Sequence, residues 1–160
     1  MNLQQMISKG LKNQPDYTSK FTEEVKQIGD LMANRFRINI YHNQDMNYSH
    51  GQSINFFLSK LLYPIDRSDD ANYQIKVWLS SKVKLYTIKV FENSSAKNVW
   101  IGTFIKLPEK LLNDIDLILS QNNFSRIDNV EKLNSIFNDF YTELDGKPAN
   151  LFEILFSEID

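Results

Sequence analysis

The chain of 160 residues carries 18 Lys and Arg against 20 Asp and Glu, a net charge of −2, with 42% hydrophobic and 12% aromatic residues. A chain of this length fits one domain, and so large an apolar share excludes a disordered polymer. The lack of cysteine excludes disulfides, thiolate nucleophiles and cysteine zinc sites, while the lack of a long apolar run or a secretory leader points to a cytoplasmic protein with no membrane span.

Leu3, Met6 and Ile7 predict a short first helix ending near Gly10, before the turn residues Asn13-Gln14-Pro15-Asp16. Thr22-Glu23-Glu24 sets a hydroxyl and two carboxylates where a helix opens on orphan amides, and Val25, Ile28, Leu31 and Met32 give residues 22–35 one buried face. Ile38 and Ile40 alternate with polar neighbours in a short strand reaching Tyr41. A polar loop runs from His42 to Gln52. Ile54, Phe57, Leu58, Leu61 and Leu62 then recur at helical spacing, in a helix that Pro64 ends.

The centre reads as strands. Tyr73, Ile75, Val77 and Leu79 alternate with polar or half-wet residues, Ser80-Ser81-Lys82 turns the chain, and Tyr86, Ile88 and Val90 alternate again. A loop over 93–98 leads to a third strand from Val99 to Leu107, and such short connections require antiparallel neighbours. Pro108 and Glu109 open a helix with the stripe Leu111, Leu112, Ile115, Ile118 and Leu119. Asp128-Asn129-Val130-Glu131 caps another, with Leu133, Ile136, Phe137, Phe140 and Leu144 at helical spacing, closed by Asp145-Gly146-Lys147-Pro148. From Asn150 the apolar run Leu151 to Ile159 should dock as a terminal helix. The expected fold is a single α+β domain over residues 1–160: an antiparallel β-meander of about three to five strands covered by helices on one face, with a helical C-terminal third.

Catalytic motifs are scarce. His42-Asn43-Gln44-Asp45 with His50 offers two imidazoles and a carboxylate, enough for acid–base work or a metal, without the spacing of a known site. This loop carries the small-enzyme alternative. Glycines at 10, 29, 51, 102 and 146 are scattered and make no phosphate cradle, so no cofactor is expected. Lys76, Lys82, Lys84 and Lys89 interleave with aromatics as on a nucleic-acid-binding sheet, but the acidic balance argues against a direct nucleic-acid partner.

Charge layout is more informative. Before Pro108 there are 14 basic against 9 acidic residues, and from it onward 4 against 11, so the two parts carry net +5 and −7. The acidic part is either a set of solvated faces or a surface that steers a basic partner. The partner-binding candidates are Asp139, Glu143, Asp145, Glu153 and Glu158. Placed on helices, Asp139 and Glu143 would share a face and repel each other, a penalty that an incoming cation would relieve.

Leu144-Asp145-Gly146-Lys147-Pro148-Ala149 and Leu155-Phe156-Ser157-Glu158, in an acidic cysteine-free α+β chain, resemble the small immunity proteins of contact-dependent growth inhibition and related bacterial toxin systems. The resemblance is textual over these C-terminal residues and architectural elsewhere. It implies a non-enzymatic binder that docks on a cognate toxin domain, often a nuclease, and covers its active site. A secretion chaperone, which holds an extended client and pairs with a second copy, is the alternative.

Overall fold

The computed structural model describes residues 1–43, 50–57, 73–92, 97–100 and 107–158. Helix α1 (Leu3–Lys12) opens on a capping box in which Asn2 and Gln5 each accept the other's backbone N–H through a side-chain oxygen. It runs past Gly10, which is not its end. A Cβ there would lie 2.6 Å from Leu155 Cδ2 and 2.8 Å from Val83 Cγ1, so the glycine permits a close helix approach. Helix α2 (Ser19–Phe36) starts three residues before the predicted Thr22 and buries Phe21, Val25, Ile28, Met32 and Phe36, while Leu31 is left exposed. Arg37 ends it with left-handed backbone, φ 54°.

The expected strand at Ile38 and Ile40 forms slightly later, as β1 (Tyr41–Asn43). Strand β2 (Gly51–Phe57) corrects the helix expected from Ile54. Pairing with a neighbour on each side satisfies its backbone and buries residues 51–56, and that tertiary gain overrides a helical spacing that a short apolar run cannot settle. The rest of that predicted helix, 58–64, lies outside the described residues. Strands β3 (Tyr73–Ser80) and β4 (Leu85–Glu92) pair as expected, with Ile75 opposite Val90 and Val77 opposite Ile88. Strand β5 (Lys97–Trp100) continues the antiparallel meander, and 101–106 of the predicted third strand lie outside the described residues.

Helix α3 (Glu109–Gln121) buries Leu111, Ile115, Ile118 and Leu119. After Asn123, itself left-handed at φ 65°, strand β6 (Ser125–Arg126) returns to pair in parallel with β4. The predicted long helix over 130–144 does not form. Helix α4 is one turn (Val130–Leu133), then β7 (Ile136–Tyr141) and β8 (Pro148–Asn150) make a hairpin, and α5 (Leu151–Leu155) packs after it. The helical C-terminal third is thereby corrected. Phe137 and Phe140 are three apart on one strand because the register slips between Phe137 and Tyr141, four steps along β7 against one along β8. Such an irregularity breaks strict alternation and imitates the helical period.

Helices cover both faces of the sheet, which corrects the expectation of one covered face. On one face α2 and α3 pack over Ile75, Val77, Leu79, Tyr86 and Ile88. On the other, α1 and α5 close over Trp78, Leu85 and Ile127, with Phe152 meeting the Trp78 ring edge-on at 5.9 Å. The second core exists because Trp78 and Leu85 point away from their strand neighbours Val77 and Tyr86. No helix among the described residues is long and apolar enough to cross a membrane.

Candidate functional site

The β7–β8 hairpin is the most exposed part of the acidic third. Ile136 (59% exposed), Tyr141 (64%) and Leu144 (47%) leave large apolar surface in solvent, while Phe137 and Phe140 meet edge-on at 6.3 Å on the inner side. Single exposed hydrophobics are ordinary, but three on one short hairpin are an unusual share of apolar surface for so few residues. Among the described residues β8 is the sole strand partner of β7, so the outer edge of β7 also offers backbone groups.

The five predicted carboxylates are placed on this hairpin, on α5 and just after it, and they do different things. Asp145 organises the hairpin turn, accepting from the Thr142 hydroxyl and from Lys147 N–H at 3.2 Å, with Lys147 Nζ at 3.4 Å. Gly146, at φ 68°, completes that turn by donating to Thr142 O. Glu158 reaches back to accept the backbone N–H of Glu143 at 2.8 Å and of Leu144 at 3.1 Å, tying the segment after α5 to the turn. Glu153 belongs to a capping box: its carboxylate accepts Asn150 N–H while Asn150 Oδ1 accepts Glu153 N–H, each at 2.8 Å. Only the Asp139 and Glu143 carboxylates make no hydrogen bond or ion pair among the described residues, and both residues are exposed. They lie on a strand and in a turn rather than one helical turn apart, so the expected repulsion along a helix face does not arise.

The Thr142 and Lys147 bonds hold the Asp145 carboxyl below its ordinary 3.8, the Thr142 hydroxyl being the larger cause. A carboxylate depressed in the folded state adds stability above the unfolded pKa and loses it as pH falls through the folded value. Denaturant midpoints measured from about pH 5 down to about pH 2 should therefore fall less steeply for Asp145→Asn than for the parent.

At the base of the hairpin lies a cleft of about 290 Å³ lined by Pro15, Tyr17, His50, Lys82, Phe140 and Glu143. His50 Nδ1 is 2.7 Å from Ile154 O; only a protonated Nδ1 can donate to a carbonyl, which fixes the tautomer and leaves Nε2 as the free nitrogen of the neutral ring. Burial raises the Tyr17 hydroxyl pKa, helped by the nearby Glu143 and Glu158 charges. The two histidines of the predicted catalytic loop are not adjacent. His42 pairs with Ile54, four positions along β2 from His50, about 13 Å of strand. Asp45 lies outside the described residues. No cluster of three or more potential metal ligands occurs among the described residues.

Helical spacing assigns Ile136 and Leu144 to a helix core and gives Tyr141 no role as an anchor. The aromatic and β-branched content of 136–141 and the Asp145-Gly146 pair were the available hairpin signals. No protein-family model, curated protein or solved structure matches the chain.

Proposed function

We propose that this protein is a non-enzymatic binding module that docks through the β7–β8 hairpin on a basic protein domain, and that the partner is a cognate bacterial toxin domain which it neutralises by covering the active site. The observation behind this reading is the set of three exposed apolar side chains, Ile136, Tyr141 and Leu144, interspersed with the Asp139 and Glu143 carboxylates, which make no hydrogen bond or ion pair among the described residues. Apolar anchors supply affinity once water is excluded, and a charged rim supplies steering and orientation. The remaining acids support the surface. Asp145 and Glu158 shape the turn that carries Glu143, and Glu153 caps the helix beneath it.

The test takes as its partner the protein encoded by the neighbouring gene in the native genome, and a failure to bind it counts against the toxin reading. Asp139→Lys/Glu143→Lys should leave the fold intact and slow association at least about tenfold at low salt, a difference that shrinks as the Debye length shortens. Tyr141→Ala should instead act on dissociation, by about tenfold or more. Parent-like binding by both variants would dispose of the hairpin as the interface. A stable homodimer formed through the same hairpin would favour the chaperone reading.

A further inference from the structure

Lys82 also lines a second cleft, of about 290 Å³, between α1, the start of α2 and the β3–β4 turn. We propose that this cleft binds a small phosphate-bearing molecule through Lys82, Lys9 and Lys20. Four lysines line it, Lys9, Lys20, Lys82 and Lys84, against Asp16 and Glu24. Glu24 is engaged by Lys84, and the Asp16 carboxylate accepts both the hydroxyl and the N–H of Thr18. Lys9 and Lys82 form no ion pair among the described residues, and Lys20 is held only by the longer-range attraction of Asp16 across the same cleft.

Lys82 carries most of the argument. It is 8% exposed, yet its ammonium makes no hydrogen bond or ion pair among the described residues. Burying a cation without a partner is costly, and an anion in the cleft supplies the missing charge. The backbone of Lys82 is fixed from two sides: its N–H donates to Ser80 Oγ at 3.1 Å and its carbonyl accepts from Asn13 Nδ2 at 2.6 Å. The backbone that carries the side chain is therefore fixed in the turn rather than left to a loose surface loop.

The start of α2 adds to this. Its 18 residues begin with Ser19, Lys20 and Phe21, no acid in the first turn, and Thr18 makes no side-chain bond to the helix because its hydroxyl goes to Asp16. Lys20 and Phe21 line the cleft, so the first-turn amides and the positive end of the helix dipole lie at its rim. The size suits a compact anion with few atoms beyond its phosphate.

Titration calorimetry of the whole protein at low ionic strength, with pyrophosphate as the probe, tests the assignment. One pyrophosphate should bind per chain, and both Lys82→Met and the double variant Lys9→Met/Lys20→Met should weaken it at least about tenfold. Lys110→Met, an exposed lysine at the far end of α3, should leave it within about twofold. Lys9 and Lys20 are exposed, so the double variant decides the matter even where Lys82→Met fails to fold. Absent saturable binding, or an equal loss in Lys110→Met, would overturn the site.

Discussion

A chain cut after Asn150 should show no cooperative thermal transition. Leu151, Leu155 and Phe156 are wholly withdrawn from solvent, and Phe152 and Ile154 nearly so. Each contributes roughly 1.5–3 kcal/mol of burial, so the five together approach about 10 kcal/mol, the scale of a whole domain's stability. The cut also uncovers Trp78, whose ring packs against Phe152, and removes the Phe152–Phe156 stack at 5.5 Å. Circular dichroism during heating gives the readout, and a sigmoidal melt near that of the parent would refute the claim. A milder probe is Phe156→Ala, expected to cost about 3–5 kcal/mol in urea titration.

Gly51→Ala is the second large effect. An added Cβ would sit 2.1 Å from the carbonyl oxygen of Leu79 and 3.2 Å from that of Phe156, both backbone atoms that cannot swing aside. Strand β2 would have to part from β3 at its first pair, Gly51 with Ser80, at a cost of about 3 kcal/mol. Gly146→Ala supplies the contrast. There the added carbon meets nothing within 4 Å, and the penalty is only that of φ 68°, about 1 kcal/mol. Equal denaturant midpoints for the two variants would show that the close approach at Gly51 does not matter.

The meander is legible because Ile75 to Leu79 and Tyr86 to Val90 alternate over long enough runs for period two to be unmistakable. Helices α2 and α3 are legible for the corresponding reason at period 3.6. Strand β2 is not, since Ile54, Phe57 and Leu58 suit a helix and only pairing with β1 and β3 decides otherwise. The hairpin is hidden by its register slip, and with it the exposure of Ile136 and Tyr141. Charge singles out the acidic residues, but charge alone cannot separate Asp139 and Glu143 from Asp145, Glu153 and Glu158, whose oxygens are already engaged within the fold. Lys82 reads in the sequence only as one of several lysines on a polar turn. Its burial comes from α1 and the chain after it, far away in sequence, and no local pattern records that.

Gly10 lets α1 lie against Leu155 and Val83, so a segment made early takes its seat on one more than 140 positions later. Contacts spanning that distance pay loop-closure entropy early and are rewarded late, which slows folding. This helix, synthesised ahead of the whole sheet, has to wait for α5 before its Ile7 side is fully covered.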